Sequence, residues 1–92
     1  MSNKPLELTG EYLEKQVSEY AKEKEIDEGK LWEELNNEFK MIYGTNQQLA
    51  KEEYQKENNI DWLDMAEWLY QNKQLEPMLF VFNRYRNKEG YL

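Results

Sequence analysis

The chain has 92 residues, nineteen acidic against twelve basic, with no cysteine, no histidine and a formal net charge of −7 at pH 7. Disulfides, thiolate metal sites and histidine-based catalysis are excluded, and a cysteine-free composition fits a reducing cytoplasm. No apolar run approaches the roughly 20 residues that cross a bilayer, and the opening MSNKPLELTGEY lacks the apolar centre of a signal peptide.

Leu, Ile, Val and Phe account for 19 of the 92 residues, near the roughly 20% below which a charged chain stays disordered. Three Trp, seven Tyr and four Met supply the missing apolar area. β-Branched residues are few while Glu, Lys, Leu and Gln abound, which favours helix over sheet. The expected fold is all-α: one domain over 1–92, a compact bundle of four or five short helices, with an extended arm at 1–8 and a tail at 88–92.

In chain order, Thr9 is placed to cap a first helix over 10–25, with Glu11 in the first turn where the helix dipole favours it. Asp27 is the expected cap of a second helix, 28–43, with Ile26 and Leu31 at hydrophobic-staple spacing. Leu31, Leu35, Phe39 and Ile42 form its apolar stripe; Trp32 and Tyr43 widen it, which assigns Trp32 to the core. Gly44 is a left-handed stop. Thr45 and Gln48 have capping-box spacing at the start of a third helix, 46–58, closed by Asn58 and Asn59.

A fourth helix is expected over 62–73 behind a cap at Asp61, and a fifth over 77–87 with Pro77 in its first turn. The run PMLFVFNRY is ambiguous by periodicity. As a helix, it aligns Met78, Leu79, Phe82 and Tyr85 with Leu75 and leaves Phe80 off that face; as a strand, it groups Met78, Phe80 and Phe82. Helix is preferred, because a lone strand has no partner in this sequence.

Residues 18–35 and 52–69 align at an offset of 34 with eight identities in eighteen positions, among them Tyr20 with Tyr54, Ile26 with Ile60 and Asp27 with Asp61. Each copy reads as helix, corner, capped helix, a duplicated element. The period equals that of a tetratricopeptide unit, but that family's residue pattern is absent. LWEELNNEFKMIYG resembles helical modules at the ends of phage antirepressor proteins; the likeness covers fourteen residues and carries no site residue with it. Ten lysines against two arginines point to an AT-rich bacterial or phage genome, in keeping with a mobile-element accessory protein.

On the expected fourth helix, Trp62, Met65, Ala66 and Leu69 share a face, and Trp68 falls about 120° away beside Asp61 and Asp64. Trp62 is therefore assigned to the core, and Trp68 to a second surface. The acidic ladder Asp61, Asp64, Glu67 lacks the looped oxygen cage of a calcium site. The hydroxyls Ser2, Thr9, Ser18 and Thr45 have no histidine to activate them, and no glycine-rich phosphate loop occurs.

No metal, cofactor or catalysis is expected. The function these features favour is a non-enzymatic protein-interaction module, an inhibitor or adaptor, that docks a basic partner or a second copy of itself. Its expected site is the acidic face Asp61, Asp64, Glu67, edged by Trp68 and Phe80. Further carboxylates, Glu33, Glu34 and Glu38 and then Glu52, Glu53 and Glu57, add to its field. Imitation of DNA phosphates is the extreme form; interleaved lysines such as Lys15, four residues after Glu11, oppose it. The alternative is nucleic-acid binding through the tail, where Arg84, Arg86 and Lys88 grip phosphate and Tyr85 stacks a base. The charge of −9 on residues 1–76 opposes that reading.

Overall fold

The computed structural model describes residues 8–90, with side chains through Lys88. Five helices follow one another: α1 (Gly10–Glu23), α2 (Glu28–Tyr43), α3 (Gln47–Glu57), α4 (Met65–Gln71) and α5 (Leu75–Gly90). Among the described residues there is no strand, and the all-α bundle expected from composition is the fold. The arm expected at 1–8 falls almost entirely outside the described residues; Leu8 is half-buried against the core. The expected tail begins inside α5, which continues through Lys88 to Gly90.

Sequence signals account for most helix ends. Thr9 Oγ1 accepts the Tyr12 amide at 3.1 Å, and Asp27 Oδ2 accepts the Lys30 amide at 3.0 Å, so two of the expected caps are in place. Gly44 closes α2 in the left-handed region at φ 81°. At α3 the cap is Asn46, whose Oδ1 accepts the Leu49 amide at 3.0 Å, and not Thr45. The asparagine carbonyl oxygen meets the amide three residues on and satisfies a donor the helix leaves free.

The repeat has a physical basis in its first half only. At the end of α1 the amides of Lys24, Glu25 and Ile26 donate to the carbonyls of Tyr20, Lys22 and Ala21. At the end of α3 those of Asn58, Asn59 and Ile60 donate to Tyr54, Lys56 and Gln55. These are Schellman closures, with Glu25 and Asn59 in the left-handed region at φ 55° and 53°. The end of α4 repeats the pattern without the sequence identity: Gln74 donates to Leu69, and Lys73 has φ 57°.

The second half departs. Asp61 caps nothing, and residues 60–64 run irregularly before α4 starts at Met65, three residues later than expected. Two contacts hold this segment. Leu63 is buried, and its carbonyl accepts the Lys51 ammonium at 2.7 Å. The Trp62 ring lies over the same ammonium, 5.3 Å from Nζ to the ring centroid.

α1 packs on α2, α4 and α5; α2 also packs on α5 and α3; and α4 bridges α1, α3 and α5. The molecule is a slab of 41 × 41 × 24 Å, and its thin dimension matches about two helix diameters. Leu13 and Val17 of α1, Leu31, Leu35 and Phe39 of α2, and Leu69 of α4 are fully buried. They meet Met78, Val81 and Phe82 of α5 at the centre. That spacing, with Phe80 53% exposed, is helical and removes the strand alternative for 77–87. Tyr20 meets Phe82 edge-to-face at 5.7 Å and Tyr85 at 6.3 Å, tying α1 to α5.

Candidate interaction site

The two tryptophans of the fourth-helix region exchange the places expected for them. Trp68 is 8% exposed and Trp62 is 75% exposed. Trp68 packs on the Tyr54 ring at 5.2 Å and donates its indole N–H to Gln47 Oε1 at 2.9 Å. Both partners belong to α3. The reversal follows from the late start of α4. Trp62 lies outside the helix, so a helical wheel drawn from it has no meaning. Within Met65–Gln71, Met65, Ala66, Trp68 and Leu69 are all buried between α1, α3 and α5.

Asp64 and Glu67 are brought together with two carboxylates of α1. A shallow groove of about 240 Å³ between α1 and α4 is lined by Glu11, Glu14, Asp64 and Glu67, with Tyr70 beside them and no basic side chain. Gly10 sets the spacing at its closed end, since a Cβ there would stand 3.0 Å from the Ala66 carbonyl oxygen. The Glu14 carboxyl is held above the usual carboxylate range. The first cause is a hydrogen bond with Asp64; partial burial and the charges of Asp64, Glu28 and Glu11 add to it. Asp64, at the N-cap position of α4, makes no capping bond. Among the described residues no three acidic groups converge closely enough to hold a metal ion. Asp61, exposed in the irregular segment, is not part of this groove.

Phe80 is exposed as expected but on a different surface, where it lines a hollow on α5 with Asn83, Arg84, Asn87 and Lys88. Three of the four residues expected to contact nucleic acid are engaged within the chain. Arg86 lies 4.5 Å above the Phe82 ring and donates to Asn83 Oδ1; Tyr85 donates to Glu34; Lys88 pairs with Glu38 at 3.7 Å. Arg84 is exposed. The Lys88–Glu38 contact is the one ion pair among the described residues, so the carboxylates of the α1/α4 groove have no cation of their own.

A second groove, of about 520 Å³, opens where α2 and α3 diverge from the Gly44 corner. Trp32, assigned to the core from sequence, is half-buried: it packs against the core and also lines this groove. Glu33 of α2 and Glu52 of α3, distant in the chain, line it together. Gly29, Trp32, Glu33, Asn36 and Asn37 lie at helical spacing along one face of α2. No described helix is long and apolar enough to cross a membrane. No protein-family model matches the chain, and neither a curated protein nor a solved structure matches it.

Proposed function

We propose that this chain is a non-enzymatic interaction module that binds a basic protein surface through the α1/α4 groove. The carrying observation is the set Glu11, Glu14, Asp64 and Glu67 lining one groove without a basic residue, with the Glu14 carboxyl held above its ordinary range by its neighbours. Crowded carboxylates repel one another in the free protein, and a cation between them relieves that repulsion. Tyr70, half-exposed in the same groove, supplies apolar contact beside the charge. Trp62, exposed in the segment leading to α4, takes the role expected of Trp68 as a ring offered to a partner.

Nucleic-acid binding through α5 has weaker support, since Tyr85, Arg86 and Lys88 are committed to contacts within the chain. A second copy of the chain is the other basic surface consistent with this reading, through the exposed Phe80 and Arg84.

The test is affinity capture from nuclease-treated bacterial lysate with the wild type and with Glu11→Lys/Glu67→Lys. Both positions are exposed, so the reversal leaves the core intact. A basic protein retained by the wild type, lost with the reversal and released by salt supports the reading. Equal retention by both sinks it, and mass in solution then decides whether the chain binds itself.

A further inference from the structure

We infer that the outward face of α5 is a self-association surface, on which α5 of a second copy of the chain packs antiparallel about a two-fold axis at Phe80. The contact lies apart from the α1/α4 groove and does not depend on the role proposed for that groove.

The face follows from helical spacing. Glu76, Phe80 and Arg84 stand four residues apart, and all three are exposed. Steps of four run nearly along a helix, so these side chains form one ridge, with the two opposite charges about 6 Å along the axis on either side of the ring. A single exposed phenylalanine is ordinary on a protein surface; its flanks set this one apart. Beside it lies a hollow of about 540 Å³, walled by Phe80 itself with Asn83, Arg84, Asn87 and Lys88.

Knob and hollow on one helix make the face complementary to itself. Ridges of this kind interdigitate when two helices cross at about 50°. A two-fold rotation at Phe80 then seats each ring in the hollow beside the other and sets Glu76 of each copy opposite Arg84 of its mate. The rings lie at the centre of the contact, where aromatic anchors contribute most. Both charges are free to pair in this way, since Lys88–Glu38 is the one ion pair among the described residues.

Charge also selects the occupant. At a net charge of −7, two copies repel over most of their surface. α5 is the one described helix in which basic residues outnumber acidic ones, with Arg84, Arg86 and Lys88 against Glu76 and Glu89. Copies therefore approach one another at least cost along this face. A head-to-tail contact, with Phe80 and Arg84 entering the α1/α4 groove of the next copy, brings Glu76 toward carboxylates that repel it. The two-fold contact uses both charges.

Sedimentation equilibrium of the full chain tests this. A single helix face buries less than the roughly 1,200 Å² of a stable interface, so the measurement spans about 10 µM to about 1 mM. The mass should rise across that range from 11.3 kDa toward twice that value. Phe80→Ser should weaken association about tenfold or more. Glu76→Arg and Arg84→Glu should each stay monomeric, because like charges then meet twice across the axis. Their equimolar mixture should recover the dimer, since every arginine again faces a glutamate. All three positions are exposed, and circular dichroism checks that each variant is folded. A wild type that stays monomeric, a dimer indifferent to Phe80→Ser, or a mixture that stays monomeric overturns the assignment. Glu11→Lys/Glu67→Lys should dimerise as the wild type does. A dimer lost in that variant indicates the head-to-tail contact and overturns the two-fold one. Lysate binding lost there with the dimer intact supports both the groove and this face as separate sites.

Discussion

Replacing Trp68 with Phe tests the interior role assigned to that ring against the surface role assigned to Trp62. The substitution removes the indole N–H that Gln47 Oε1 accepts at 2.9 Å, and Gln47 is itself buried. An acceptor left unpaired in such a place costs about 1–3 kcal/mol. The smaller ring leaves a void against Tyr54 that adds about 1 kcal/mol. The sum, about 2–4 kcal/mol, is a large part of the roughly 5–14 kcal/mol expected for a domain of this length.

Trp62→Ala removes a ring that is three-quarters exposed. A quarter of a Trp surface, about 60 Å² at about 25 cal/mol/Å², bounds its loss near 1.5 kcal/mol. Urea unfolding followed by far-UV circular dichroism measures both. Adding Gln47→Met to Trp68→Phe removes the orphaned acceptor, and about 1–2 kcal/mol should return. A Trp62→Ala variant less stable than Trp68→Phe, or a double variant that recovers nothing, would refute the placement of both rings.

Three further outcomes are expected. Glu25→Gly and Lys73→Gly, each at a left-handed helix end, should gain about 0.5–1 kcal/mol. The relieved backbone strain exceeds the added unfolded-chain entropy. Asn59→Gly should gain less, because asparagine tolerates that conformation, and thermal midpoints rank the three. Gly10→Ala should lose about 1 kcal/mol in denaturant unfolding. Its methyl meets the Ala66 backbone carbonyl at 3.0 Å, and that backbone yields less readily than a side chain. Glu14→Gln should match the wild type in stability at low pH and exceed it at neutral pH. A carboxyl whose native value is raised ionises more readily in the unfolded chain. The wild type therefore loses stability as pH rises from the ordinary value of about 4.5 through the raised one. A stability gap that stays constant with pH would contradict the raised Glu14 carboxyl.

Helix number, three of the helix-end residues and the core stripes of α2 and α5 were legible because they rest on local chemistry. Thr9, Asp27 and Gly44 act on backbone atoms within a turn of themselves. Residues 60–68 were misread because the repeat carried a cap from Asp27 to Asp61. What fixes that segment is a contact across the fold, the Lys51 ammonium on the Leu63 carbonyl. The cap of α4 failed for a similar reason: the Asp64 carboxylate faces Glu14 of α1. Neither contact leaves a trace in spacing. The same holds for the grooves. Glu33 and Glu52 were visible as separate acidic clusters, and the Gly44 corner makes them neighbours.

Asn36 tests what a buried, unpaired acceptor costs this fold. Its Oδ1 lies buried without a donor, an arrangement that costs about 1–3 kcal/mol. Asn36→Ala removes that oxygen together with the packing of a small side chain, and the void costs about 1 kcal/mol. The two effects oppose each other, so Asn36→Ala should leave the stability within about 1 kcal/mol of the wild type or raise it, as urea unfolding measures. A buried asparagine whose oxygen accepts a hydrogen bond behaves differently, because its replacement loses the bond as well as the packing. If Asn36→Ala destabilises the fold by more than about 2 kcal/mol, its oxygen has a donor in solution and the packing around it has been misread.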